Sequence, residues 1–131
     1  MPKSFDKYQD MKYNDDIGYK DLKLRYSIKT EYNLKIHEGR QGKHIKGHNN
    51  YDGKSYLIDG VDPQELVNEY AGTGRMVRDK KGIWTNKESV MCDSDLGYYI
   101  DSKSNTKTST RRCFIHYSKD KGTHIVPRKG V

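Results

Sequence analysis

Apolar positions in this chain come in short runs, and only one run has a clear helical period. Asp62 to Gly72 opens with an N-cap aspartate, places Pro63 at the first helical position and Glu65 at the third, and ends on glycine. Leu66 and Tyr70 are four apart with Val67 beside them, so one stripe can bury against a sheet. Beyond Gly72 the period shortens to two. Strands are expected over Met76–Arg78, Glu88–Cys92, Tyr98–Asp101, Arg111–Ser118 and Thr123–Pro127. Asp79 to Gly82 and Lys119 to Gly122 carry turn residues, with Gly122 free to take positive φ. Ser102 to Thr110 holds no apolar residue and reads as a polar loop, whereas Trp84 is expected in the core. A helix followed by a meander of strands gives an α+β fold. One or two short helices are expected on a twisted antiparallel sheet of about four to five strands.

The first third is weaker in pattern. Ser4 is a candidate cap for a short helix through Phe5, Tyr8 and Met11, which Asn14-Asp15-Asp16 breaks. Leu22 and Tyr26 suggest a second turn or two from Asp21. Residues 1–33 therefore read as an arm that packs weakly, ahead of a domain over residues 34–131. From Ile36 to Tyr51 three glycines, three histidines and three basic residues make a loop suited to a phosphate or a base. Lys43 and His44 are its dense point, and His37 and His48 are the least committed histidines.

Composition narrows the class. At 131 residues the chain suffices for one domain, and with 32% hydrophobic against 33% charged residues its core must be small. Eleven tyrosines supply much of the apolar area. A net charge of +7 favours an anionic partner such as nucleic acid. No apolar run approaches a membrane span and no hydrophobic segment follows Met1, so neither a membrane nor a secretory route is expected. Cys92 and Cys113 lack a framework or metal-ligand spacing and read as reduced, half-buried strand residues in a cytosolic setting.

The final hairpin concentrates the chemistry. His116 and His124 each stand beside a hydroxyl, Ser118 and Thr123. If residues 116 and 124 are directly opposite, both imidazoles share a face about 5 Å apart at Cβ; a one-residue slip separates them. Zinc is not expected, because carboxylate or thiolate ligands at motif spacing are missing. RNA cleavage suits the residues better. It needs a base for the 2′-OH, an acid for the leaving 5′-oxygen and donors for the phosphorane, and imidazole serves as either acid or base near neutrality. His44, His116, His124 and Lys43 are the catalytic candidates, with no cofactor. Ser118, Thr123, Tyr117, Lys46 and Arg112 are the substrate-binding ones.

The succession QGKHIKGHNNY, SYL, DPQELVNEYAGTG and IHYSKDKGTHIVP resembles the polymorphic toxin type 50 domain, from about Ile36 to Pro127. That domain is expected to be an RNase of the barnase/EndoU/colicin/RelE-like superfamily, and it also ends some phage minor head proteins. Lys43 and His44 fall in its KHI motif, His116 to Ser118 in IHYS, and Thr123 and His124 in GTHIVP. The opening PKSFDKYQDMKYND resembles the stretch that precedes the domain in those head proteins. The resemblance implies a phage- or prophage-encoded endoribonuclease acting in the bacterial cytoplasm, with RNA as partner, an immunity protein and phage head components as further partners. The alternative is a non-catalytic phage structural or ejected protein that holds nucleic acid or a capsid partner on the same surface.

Overall fold

The computed structural model describes residues 16–130, and the helix expected around Phe5 to Met11 lies outside them. Helix α1 runs Asp16–Glu31, α2 is the short Glu38–Gln41, and a 3₁₀ turn, Gly42–His44, follows it directly. Helix α3, Pro63–Tyr70, is the one the sequence marks most clearly; Asp62 caps it by accepting from Gln64 N–H at 2.9 Å. Seven strands complete the chain: β1 Tyr56–Leu57, β2 Arg75–Arg78, β3 Trp84–Met91, β4 Gly97–Ile100, β5 Lys107–Thr110, β6 Arg112–His116 and β7 His124–Pro127.

The architecture is α+β, as the pattern implies, but the strands divide into two antiparallel sheets. One has the order β1-β4-β5, the other β2-β3-β6-β7. The three-stranded sheet contains the two strands without a sequence signal. Strand β1 has only two residues, and β5 arises inside the stretch expected to be a polar loop. Strand β5 is polar because it is an edge whose pairing with β4, Tyr98 opposite Ser109 and Tyr99 opposite Thr108, supplies its order. Strand β3 begins four residues earlier than expected, because a bulge with Asn86 at φ 63 carries it back to Trp84.

The four-stranded sheet has two unlike faces. Val90, Cys113, Ile115 and Ile125 point to the core, where they meet Ile28, Val67 and Ala71. Both cysteines are free and fully buried, deeper than half-buried strand positions. Glu88 lies on this apolar face with no exposure at all. Its carboxylate survives there by accepting from Gly72 N–H, Gly74 N–H and the Tyr117 hydroxyl, which ties the exit of α3 to the sheet. The opposite face carries Lys87, Phe114, His116 and His124 and is left open.

Helix α1 corrects the expectation of a weakly packed arm. It is sixteen residues long, and Leu24, Ile28 and Tyr32 form an i, i+4 stripe that reaches the core, with Ile28 fully buried. Arg78 pairs with Asp21 at 2.5 Å, and Arg25 donates to the Gly72 carbonyl at 2.6 Å. Asn33, at the supposed end of the arm, bonds to Ser118, Asp120 and Thr123 in the final hairpin. Ile28→Ala should therefore cost about 2–5 kcal/mol, lowering Tm by roughly 10 °C. A chain starting at Asn33 should lose at least as much in a thermal melt. An unchanged Tm for either protein would mean that α1 contributes nothing to the core.

Candidate active site

The register of the last hairpin decides what this protein can do. His116 pairs with His124 across β6 and β7, and on the other side of β6 Lys87 of β3 pairs with His116. Alternation puts all three side chains on the open face. The two imidazole centroids are 4.6 Å apart. His44 extends the row from the 3₁₀ turn, which packs beyond β7; its ring stacks on His124 at 6.3 Å and 10°. The result is a line Lys87–His116–His124–His44 across the floor of a cleft of about 660 Å³. Lys43, Lys54 and Arg128 stand around it, and Phe114 and Tyr99 form part of its wall.

His44 owes its place to two contacts. Its Nδ1 lies 3.0 Å from the Ser55 carbonyl, an acceptor only, so Nδ1 carries a proton and the ring is held in place. The turn that bears it is fixed to the sheet by Gln41, whose buried amide bonds both backbone groups of Ile125, at 2.6 and 2.9 Å. Ile125 is the residue after His124, so the clamp sets the spacing between the two histidines.

Other expected site residues fall elsewhere. Tyr117 is buried on the core face with its hydroxyl on Glu88, and Thr123, fully buried, donates to the Asn33 carbonyl. Both point away from the cleft because strand alternation sends residues 117 and 123 to the side opposite His116 and His124. Ser118 lies past the end of β6, where its hydroxyl accepts from Lys121 N–H and closes the turn. Lys46 lines a different recess, against Tyr56. Arg112 is at the rim, bonded to Ser89 and the Lys129 carbonyl and lying over Phe114. His37 caps α2 by accepting from Arg40 N–H, and the His48 ring fills the space where a Cβ on Gly42 would be. These two histidines hold local structure outside the cleft.

Lys87, Arg128 and Lys54 are the cleft residues that the sequence pattern misses. Lys87 had a signal only in retrospect, through its pairing with His116; Arg128 and Lys54 sit in segments with no periodicity. Among the described residues no three His, Cys, Asp or Glu side chains are grouped to hold a metal ion.

The profile of the bacterial toxin 50 family matches residues 36–127, well over half of the chain and every histidine of the row. The chain belongs to the bacterial toxin 50 family. No curated protein matches it.

In this toxin-family chain the two paired histidines are held neutral. Burial, followed by Lys87, His44 and Arg128, lowers His116 from 6.5 to about 4. Burial, followed by His116, His44 and Arg40, lowers His124 to about 3. Between about 6.5 and 3 the unfolded chain therefore binds more protons than the folded one, and these groups make stability fall as pH drops through that window. In an NMR titration of the free protein, the ring signals of His116 and His124 should not move between pH 7 and about pH 5. Titration of either near 6.5 would show that the row is wetter than its geometry implies.

Proposed function

We propose that this member of the toxin family is an RNA endonuclease whose acid and base are imidazoles and which needs no metal ion. The observation that carries the reading is the line of three histidines on the floor of a cleft lined by Lys43, Lys54, Lys87 and Arg128. A phosphodiester laid on that line has cations around it and nitrogen groups that can both take and give a proton at neutral pH.

The reaction is an internal transfer. A base takes the 2′-OH proton, the 2′-oxygen bonds to phosphorus, and the bond to the 5′-oxygen breaks as an acid protonates it. The ends are a 2′,3′-cyclic phosphate and a 5′-hydroxyl. Attack and departure lie on opposite sides of phosphorus, so acid and base must flank it. His116 and His124 are side by side at 4.6 Å, which suits neighbours on one side of a phosphate. His44 and His116, at the two ends of the histidine line, flank it better. His124 then stays neutral between them and hydrogen-bonds a non-bridging oxygen. An anionic phosphate raises the depressed pKa of His116, opposing the effect of Lys87 and Arg128. A proton thus becomes available where the substrate is.

The same reading proposes RNA as substrate, an immunity protein that blocks the cleft in the producing cell, and action in the bacterial cytoplasm. The origin of residues 1–33 in a phage head-protein junction is proposed on the likeness of their sequence alone.

Digestion of total RNA in EDTA should leave 2′,3′-cyclic ends with a bell-shaped pH profile. His44→Ala, His116→Ala and His124→Ala should each lower the rate by about 10²–10⁴-fold, and pairs of them by little more than the worse single change. Lys87→Ala should chiefly weaken RNA binding, with a shallower salt dependence. RNA that is bound but intact in every buffer would favour the non-catalytic phage protein instead.

A further inference from the structure

A second basic recess, of about 380 Å³, lies on the three-stranded sheet next to the histidine cleft. Its centre is a pair of tyrosines. The register of β1 and β4 sets Tyr56 opposite Tyr98, with ring centroids 5.3 Å apart. Tyr51 meets Tyr56 edge-on at 5.9 Å. Lysines cover the pair: the Lys46 ammonium lies 5.4 Å from the centre of the Tyr56 ring, and that of Lys107 lies 4.8 Å from the centre of the Tyr98 ring. Both lysines are exposed, and neither makes an ion pair among the described residues, although Asp59 also lines the recess.

Lysine tips over tyrosine faces are a replaceable cover. Tyr56 is buried at the base of the recess, so the partly exposed Tyr98 ring is the face a nucleobase can stack on, and the displaced ammonium groups then have a phosphate to bind. The recess and the cleft have no lining residue in common, but the loop of residues 51–55 runs between them. Ser55, whose carbonyl holds His44, is followed directly by Tyr56. Lys54 lines the cleft while its carbonyl accepts from the Tyr51 hydroxyl at 2.8 Å. A strand leaving the histidines over this loop meets the tyrosines next.

We propose that Tyr56, Tyr98, Lys46 and Lys107 form a subsite for unpaired bases of the RNA strand that flank the scissile phosphate. The subsite rests on the nuclease reading for its substrate, and it restricts that substrate to single-stranded segments longer than a dinucleotide. It also gives Lys46 a substrate contact at a distance from the reacting phosphate.

The test is the affinity of fluorescein-labelled 2′-O-methyl oligonucleotides, which lack the attacking hydroxyl, for the intact protein. Wild type should bind a strand of about eight nucleotides much more tightly than a dinucleotide. Tyr98→Leu should weaken the longer strand about 5- to 100-fold and leave the dinucleotide unchanged. Tyr98→Phe should bind as wild type. The double change Lys46→Ala with Lys107→Ala, both at exposed positions, repeats the test without touching the aromatic pair and should act on the longer strand alone. Equal affinity of wild type and these variants for the longer strand overturns the subsite, even if RNA is still cleaved. Length-dependent binding that the variants lose, in a protein that cleaves no RNA, keeps the subsite and removes the nuclease.

Discussion

The cleft depends on how the outer edge of β7 is closed. An edge strand presents unpaired N–H and C=O groups, and at Ile125 both are taken by one side chain, the amide of Gln41. Neighbouring backbone bonds continue the closure, from Thr123 N–H to the Lys35 carbonyl and from His37 N–H to the Thr123 carbonyl. These contacts bring a loop more than eighty residues away in sequence to the strand that carries His124. Buried hydrogen bonds of this kind add only about 1 kcal/mol each, but leaving the same groups unpaired costs more. The loop therefore has one favourable seat. From that seat His44 stacks on His124, and the row of imidazoles gains its third member.

The row also sets an electrostatic tension that the free protein resolves by keeping imidazoles neutral. Three imidazoles and four cations around one cleft would repel each other if the histidines were charged, and partial burial adds a desolvation cost. Neutral His116 and His124 are the outcome. An anion offsets the repulsion between these positive groups, though not the desolvation, so the charge of the site favours an anionic ligand over a cationic one. Binding of an anion and proton uptake by these imidazoles would then be linked.

Legibility from sequence followed burial and alternation. The helix at Pro63–Tyr70 and strands β6 and β7 were readable because each has a cap, a turn residue or an apolar stripe, and the opposition of His116 and His124 needed only the right register. Strand β5 was hidden because both of its faces are polar and its order comes from β4. Tyr117, Ser118 and Thr123 looked like site residues because they adjoin the histidines in sequence. A strand sends adjacent residues to opposite sides, and Tyr117 and Thr123 were consequently spent on the core. Lys87 and Arg128 belong to the cleft through pairing and loop placement, neither of which leaves a periodic trace.

Helix α1 shows where the working unit of this chain begins. The family match starts at residue 36, yet Ile28 is wholly buried against the core and Asn33 holds the turn of the β6–β7 hairpin. The helix has weak amphipathicity because its apolar stripe is narrow, with Ile28 buried and Leu24 and, just past its end, Tyr32 partly buried, while Lys and Asp occupy much of the rest. A narrow stripe is easily read as an arm. In a core this small, however, one fully buried isoleucine is a sizeable share of the apolar area. Thr123 links the two ends of that dependence. Its hydroxyl bonds to the Asn33 carbonyl from the residue next to His124, so the end of α1 is one side chain removed from the histidine row. Loosening the helix would therefore act on the turn between β6 and β7 before it acted on the sheet as a whole.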